Sequence, residues 1–178
     1  MKAAGLDCRR DPADLDEAAI RDRLKARGAV VAARAIAKAK AEAVSARRPG
    51  ATVIGADQIL VLGATMFEKP TTKVQAAADL RRLSGRSHRL ISAVAVARDG
   101  RVQWNHVATA KLTMRTMSRA EIAAYLDAAG RDVLGSVGAY QVEGLGIRLF
   151  EKIDGDYFTV LGLPLLPLLG YLRRAGLG

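Results

Sequence analysis

The 178-residue sequence has a single cysteine, Cys8, and only 4% of its residues are aromatic. One cysteine cannot form an internal disulfide, and it has no partner for a cysteine-based metal motif. No apolar run approaches the roughly 20 residues that a membrane-spanning helix needs, and the first residues lack the apolar core of a signal peptide. The composition therefore predicts a soluble, cytoplasmic protein in a reducing compartment.

Acidic residues are also scarce: 18 Asp and Glu stand against 28 Lys and Arg, which gives a formal net charge of +10. A basic balance favours anionic partners, among them nucleotides, nucleic acids and acidic surfaces. The arginines are scattered through helical segments with few aromatics between them, a pattern typical of a solvated face rather than a stacking platform for single strands. We therefore expect no membrane partner and disfavour nucleic acid.

Half of the residues are hydrophobic, enough for a sizeable core, and no linker separates independent domains, so we expect one domain over residues 1–178. Helical periodicity and capping signals predict four helical regions. These are residues 15–46 with a break at Gly28, 72–83 capped by Thr71 or Thr72, 118–129 opened by a Ser118–Glu121 capping box, and a C-terminal helix from Pro164.

Strand patterns alternate with these helices. We predict strands at residues 53–62, at two long segments joined by the turn Asp99-Gly100, at 147–153 and at 156–162. Interspersed helices, crossovers and hairpins predict an α/β or mixed α+β fold with a mixed sheet.

Asp57 and Gln58 interrupt the apolar strand at residues 53–62. Polar groups are costly to bury unless they are paired, so we expect both at the end of the strand, where it meets a cleft. A buried aspartate that caps a helix or forms a salt bridge is the alternative. Lys69 follows closely, and an acid and a lysine near one another suit a phosphate substrate. Asp16 and Glu17 are further candidate oxygen ligands for Mg²⁺.

Several separated motifs resemble one family over nearly the whole chain, from about residue 4 to residue 177. They are GADQILVLGATMFEKP, LSGRSH, GAYQVEGLGI, IDGDYFTVLGLPL and LRRAGL, in this order. Together they resemble the Maf family of nucleoside triphosphate pyrophosphatases, named for septum formation inhibition. The resemblance implies cleavage between the α and β phosphates with a divalent metal, Mg²⁺ or Mn²⁺. It also implies an elongated mixed sheet flanked by helices, two lobes with a central cleft, and often a homodimer.

The same resemblance implies roles for individual residues. The catalytic aspartate of the family's Ala-Asp-[Thr/Gln] motif corresponds to Asp57, which would act as base or metal ligand. The phosphate-binding lysine of its Lys-Pro motif corresponds to Lys69. The family's Asp-Glu pair places a metal ligand at Glu17, and the lysine of its alanine-rich helix falls on Lys40.

One family feature is missing from the sequence. Members usually begin with a strand and a Ser-x-Ser-x-x-Arg-Arg loop that cradles the phosphates, ahead of a segment like AAGLDCRRDPADLDE. Arg9 and Arg10 follow the AGLD segment and do not correspond to that pair. Either the start is truncated or misassigned, or the protein is a weakened relative. Each absent arginine contact would cost about 1.5 to 3 kcal/mol, so we expect lower activity from this chain.

Gln58 and Glu143 are the predicted base-contacting residues. The pyrimidine-preferring branch has Ala-Asp-Thr and Tyr-x-x-Gln-Gly, whereas this chain has Gln58 and, at the glutamine position, Glu143. A carboxylate only accepts hydrogen bonds, which suits the N1–H and N2 amino donors of guanine. GAYQVEGLGIRLF also resembles the branch that hydrolyses 7-methyl-GTP, whose base is cationic. We therefore expect a purine preference, with dTTP or UTP as the alternative substrate.

A rival interpretation belongs to another class: a non-catalytic nucleotide- or nucleic-acid-binding regulator of cell division. The missing arginine loop and the basic balance favour it. Trp104 is of the type that stacks on a base, although a lone strand tryptophan is more often core. His88 and His106 have no ligand partner at metal spacing.

Overall fold

The computed structural model describes residues 4–177, in which helices and strands are interspersed. The helices are α1 Glu17–Leu24, α2 Ala29–Ala46, α3 Lys73–Leu83, α4 Arg119–Ala129, α5 Tyr157–Val160 and α6 Leu165–Arg174. The strands are β1 Val53–Leu62, β2 Thr65–Phe67, β3 Ser87–Arg98, β4 Arg101–Met114 and β5 Phe150–Asp154. The α+β class is confirmed, and no helix in the described part of the chain is long and apolar enough to cross a bilayer.

The five strands form one sheet in the order β2-β1-β3-β4-β5. β1 and β2 pair antiparallel, with Leu60 opposite Phe67, and β4 and β5 pair antiparallel, with Leu112 opposite Ile153. β3 and β4 are joined by the predicted two-residue turn, in which Asp99 and Gly100 both have positive φ.

The chain divides into two compact units. Unit 1 comprises residues 1–57, 93–107 and 163–178, and unit 2 comprises residues 58–92 and 108–162. In unit 1, α1 packs on α2, and the buried face of α2 consists mainly of small side chains. In unit 2, α3 packs on α4, and leucines such as Leu80, Leu90 and Leu112 lie at the centre of a large apolar cluster.

Local signals placed most of the helix ends correctly. Gly28, with φ +90°, separates α2 from the preceding 3-10 turn Lys25–Arg27. Thr72 caps α3 by accepting a hydrogen bond from the backbone N–H of Gln75. Ser118 and Glu121 form the predicted capping box of α4.

Of the two strands predicted near the C-terminus, the one at residues 147–153 is partly wrong and the one at residues 156–162 is wrong. Residues 147–149 belong to the 3-10 turn Leu145–Leu149, in which Ile147 N–H donates to Gly144 O, so the strand starts only at Phe150. Residues 157–160 form helix α5 instead of a strand. Asp156 caps this helix by accepting hydrogen bonds of 2.8 Å from both N–H and Oγ1 of Thr159. The cap outweighs the strand preference of the aromatic and β-branched residues that follow it.

Candidate active site

Three predicted site residues meet in unit 1: Glu17 at the start of α1, Lys40 on α2 and Asp57 on β1. Lys40 Nζ lies 2.9 Å from Glu17 Oε2 and 3.1 Å from Asp57 Oδ1. The same ammonium donates to the backbone oxygen of Ala56 at 3.4 Å. We refer to Glu17, Lys40 and Asp57 as the acid–lysine cluster.

A close approach between α2 and β1 brings Lys40 to Asp57. Gly55 precedes Asp57 by two residues, and a Cβ on it would lie 2.3 Å from Ala37 O and 2.6 Å from Ala41 N. Both atoms belong to the α2 backbone on either side of Lys40. A glycine facing alanines therefore lets the helix lie directly on the strand, within reach of the lysine side chain.

Asp57 is buried, with 7% of its side chain exposed, whereas 40% of the Glu17 side chain is exposed. Burial raises the pKa of Asp57, and the charge and hydrogen bond of Lys40 oppose that rise without cancelling it. Its second oxygen, Oδ2, is buried without a hydrogen-bond partner among the described residues. The cluster therefore holds one carboxylate oxygen that accepts no hydrogen bond from residues 4–177.

A cavity of about 400 Å³ in unit 1 adjoins the cluster and is lined by Glu17, Lys40, residues 11–15 and residues 53–56. Its wall at residues 11–12 is tied to the end of α2, because Asp11 accepts hydrogen bonds from Arg47 and Arg48. These arginines hold the pKa of Asp11 below its usual value. The volume lies in the range of small-molecule sites.

The position of Asp57 and Gln58 corrects one prediction. They stand in the middle of β1, as its fifth and sixth residues, and not at a strand end. Both polar side chains form hydrogen bonds, which lowers the cost of placing them in a strand. The alternative of a buried aspartate in a salt bridge is correct as a description of Asp57, although the pairing leaves Oδ2 unused.

Gln58 is engaged inside unit 2. Its Nε2 lies within hydrogen-bond distance of Ser92 Oγ at 2.9 Å, Thr159 O at 3.1 Å and Val160 O at 3.0 Å. Ser92 Oγ also donates to Thr159 O at 2.7 Å. The amide N–H groups of Gln58 are therefore already hydrogen-bonded to Ser92 and to backbone oxygens of α5.

The remaining predicted residues are exposed in unit 2. Lys69 follows β2, and Glu143 lies in the turn between residues 141 and 144. No hydrogen bond or ion pair joins either side chain to another described residue. Both charged groups are thus available to a ligand. Asp16, by contrast, serves as the N-cap of α1 by accepting from Ala19 N–H at 2.9 Å.

Comparisons with known proteins identify the family. The family profile described as Maf-like protein matches residues 1–175. The chain belongs to the Maf-like family.

Curated relatives of this Maf-like chain cover nearly all of it. A protein of Bradyrhizobium diazoefficiens named nucleoside triphosphate pyrophosphatase is 55% identical over 96% of this chain and 84% of its own length. A Rhizobium etli protein named 7-methyl-GTP pyrophosphatase is 53% identical over 99% of this chain and 89% of its own. A Brucella abortus protein of the same name is 51% identical over 98% and 88%.

Sequence reasoning missed two polar groupings in unit 2 of the Maf-like chain. One is the Gln58–Ser92–Thr159 network, whose members are separated by up to 101 positions, so no local sequence pattern indicates it. The other is a buried hydrogen bond between His88 and Tyr140. An isolated histidine in an apolar strand was the only available sign of the second grouping.

Proposed function

We propose that this chain is a nucleoside triphosphate pyrophosphatase that hydrolyses the α–β phosphoanhydride to a nucleoside monophosphate and pyrophosphate. The observation that carries the proposal is the acid–lysine cluster, in which a buried carboxylate keeps one oxygen unpaired beside a lysine. The names of the relatives at 51–55% identity support the same activity.

Asp57 is the proposed base. In the reaction, a water oxygen bonds to phosphorus, the P–O bond to the α–β bridging oxygen breaks, and pyrophosphate leaves. The unpaired Oδ2 of Asp57 orients that water and accepts its proton. Because burial raises the pKa of this carboxyl group, Asp57 is a stronger base than an exposed aspartate. Its place within β1 and under α2 keeps it fixed, as a positioned base requires.

Lys40 and Lys69 are the proposed phosphate ligands. Lys40 already neutralises part of the charge of Glu17 and Asp57, and 21% of its side chain is exposed. Its three N–H donors face Glu17, Asp57 and the Ala56 carbonyl, so a phosphoryl oxygen would replace one of these partners. Lys69 has no partner among the described residues, so binding a phosphate breaks no ion pair.

The cluster also suits a divalent cation in the type and number of its donors. Among the described residues no group of three or more His, Cys, Asp or Glu side chains is placed to hold a metal. Mg²⁺ needs no such group, because it takes one or two protein carboxylates and completes its shell with water and phosphate. Glu17 would hold Mg²⁺ or Mn²⁺, with Asp57 as a second ligand where it does not serve as the base, and the cation would supply charge neutralisation at the phosphates.

Glu143 is the proposed reader of the base. It is exposed and unpaired, and it offers two acceptor oxygens to the N1–H and N2 amino donors of guanine, or its charge to the cationic 7-methylguanine. We therefore propose 7-methyl-GTP or another purine nucleotide as the substrate. Gln58 stays a predicted base contact, although its Nε2 is already engaged within the protein.

The proposed setting is the cytoplasm, where nucleoside triphosphates are made. The single cysteine, Cys8, is exposed and free. A homodimer, implied by the family resemblance, stays a prediction that light scattering of the purified protein tests.

The test is pyrophosphate release with Mg²⁺ or Mn²⁺ from 7-methyl-GTP, GTP, CTP, UTP and dTTP. The variant is Asp57→Asn, and the matched control is Asp79→Asn, which alters another buried aspartate whose pKa burial raises. We expect at least a hundredfold loss of kcat in Asp57→Asn and near-normal turnover in Asp79→Asn, since a positioned acid–base group contributes about 10²–10⁴-fold.

Two outcomes would contradict the proposal. Equal turnover by wild type and Asp57→Asn would remove Asp57 from the chemistry. Nucleotide binding without pyrophosphate release from any of the five nucleotides, in folded protein, would leave the non-catalytic regulator as the better description.

A further inference from the structure

A buried histidine in unit 2 takes no part in the proposed chemistry. His88 on β3 is 2% exposed, and its Nε2 lies 2.8 Å from Oη of Tyr140. The rings of Tyr140 and Phe150 surround it, with centroids 5.7 and 6.0 Å away, and its Nδ1 has no partner among the described residues. Burial lowers the pKa of His88 to about 4, so the ring is neutral at pH 7. A neutral buried ring acts through its single directional hydrogen bond.

Tyr140 is the first residue of the segment that carries Glu143, and the backbone leading into it is tightly fixed. Gly138 and Ala139 both have positive φ, +78° and +58°. A Cβ on Gly138 would lie 2.7 Å from atoms of both Leu60 and Tyr140. The carbonyl oxygen of Ala139 accepts a hydrogen bond of 3.1 Å from Tyr125 Oη. These contacts restrict the backbone conformation of the two residues that precede Tyr140.

The other end of the segment is fixed as well. Gly144 N–H donates to Gln141 O at 3.2 Å, which closes the turn. A Cβ on Gly146 would lie 2.5 Å from Gln141 O, so residues 141 and 146 are in backbone contact. Gln141 Nε2 also donates to Ser136 Oγ at 3.2 Å. Between these two ends, Glu143 is exposed and its carboxylate is free.

We propose that His88 and Tyr140 are positioning residues for base recognition: their buried hydrogen bond holds segment 140–144 so that Glu143 presents its carboxylate in a fixed place. This inference rests on the proposed function, in which Glu143 reads the base. Hydrogen bonds to a base depend steeply on distance and direction, so a small displacement of Glu143 reduces discrimination between bases. The phosphates do not contact Glu143 in the proposed reaction, so the loss falls on base preference rather than on the hydrolytic step.

The first test compares Tyr140→Phe with Ser84→Ala. Each change removes one hydroxyl group from unit 2. Ser84 is part-buried and lies outside the segment, where its Oγ accepts from Met117 N–H at 2.8 Å and donates weakly to Met117 O at 3.4 Å. The measured quantity is the ratio of kcat/KM for the best purine nucleotide to kcat/KM for the best pyrimidine nucleotide. We expect Tyr140→Phe to move this ratio toward unity by about two- to tenfold, the worth of one net hydrogen bond, and Ser84→Ala to leave it within twofold.

Two further variants check that the effect passes through the proposed pair and through Glu143. His88→Phe keeps an aromatic ring and removes the same hydrogen bond from the other side, so it reproduces the shift of Tyr140→Phe. In a Glu143→Ala background, Tyr140→Phe causes no additional change in the ratio, because the group it positions is gone. An unchanged ratio in Tyr140→Phe, or a shift that persists without Glu143, overturns the inference.

A readout independent of turnover separates this inference from the proposed function. Amide hydrogen exchange of residues 140–146 in the full chain becomes faster in Tyr140→Phe and His88→Phe and stays unchanged in Ser84→Ala. Unchanged exchange in all three variants overturns the positioning role, whatever the enzyme does. Absence of pyrophosphate release from wild type overturns the proposed function, while the exchange rates still decide whether the pair holds the segment.

Discussion

Gly55→Ala tests the contact that assembles the acid–lysine cluster. The added Cβ would lie 2.3 Å from Ala37 O and 2.6 Å from Ala41 N, closer than Cβ atoms approach backbone atoms in proteins. Neither atom belongs to a flexible side chain, so no rotamer change relieves the overlap. The helix α2 must move away from β1, and Lys40 moves with it.

The expected magnitude follows from two terms. Overpacking of a tight interior costs about 1–3 kcal/mol, and this contact belongs at the upper end because both obstructing atoms are backbone. A shift of α2 by about 1 Å takes Lys40 Nζ from 3.1 Å to beyond hydrogen-bond distance of Asp57 Oδ1. A charge-assisted hydrogen bond of this type contributes about 1.5–3 kcal/mol. We therefore expect the free energy of unfolding to fall by about 4.5–6 kcal/mol. Most of the pyrophosphatase activity should be lost as well.

The assay is urea unfolding combined with pyrophosphate release, and the matched control is Gly170→Ala in α6 of the same unit. The nearest atom to a Cβ there is Arg174 Nη1 at 3.6 Å, an ordinary contact with a flexible side chain. Alanine in a helix is favoured over glycine, so this variant should be about 0.5–1 kcal/mol more stable than wild type. A Gly55→Ala protein with wild-type stability and full activity would refute the argument from the α2–β1 contact.

Three further changes test other parts of the structure. Between pH 6.5 and about 4, His88 takes up a proton in the unfolded chain but not in the folded protein. The free energy of unfolding therefore decreases as the pH is lowered, by up to about 1.4 kcal/mol per pH unit. Urea unfolding at pH 4.5 and 7 should show that His88→Phe lacks this contribution. Asp156→Ala removes the cap of α5 and should cost about 1 kcal/mol in thermal unfolding, whereas Asp156→Asn retains most of it. Lys69→Ala should raise KM for nucleotide with little change in stability, because the side chain is exposed and unpaired.

Features that depend on neighbouring residues were predictable from the sequence. The capping box of α4, the cap of α3, the break at Gly28 and the turn at Asp99-Gly100 all form within a few residues of chain, and all four were placed correctly. Helix α5 was missed although its cap is also local. The run from Tyr157 to Val160 is aromatic and β-branched, and strand propensity concealed the Asp156 cap in front of it.

The candidate site was predictable only in part, because its contacts join distant positions. The resemblance to the Maf family supplied Glu17, Lys40 and Asp57 as separate motif residues. In the structure, carboxylate oxygens of Glu17 and Asp57 both lie within 3.1 Å of Lys40 Nζ. Nothing in the sequence indicated that Gly55 faces Ala37 and Ala41, since each is unremarkable in its own element. Packing between a helix and a strand decides such contacts, and local patterns do not encode it.

The pairing of Asp57 argues for function rather than for stability alone. A buried ion pair is often no more stabilising than apolar residues of the same volume, and it favours folding only when the remaining lone pairs are satisfied. Here Lys40 divides its hydrogen bonds among Glu17, Asp57 and the Ala56 carbonyl, and Asp57 Oδ2 receives none. A buried unsatisfied oxygen costs about 1–3 kcal/mol. A cation that binds the free oxygen would supply the missing contact.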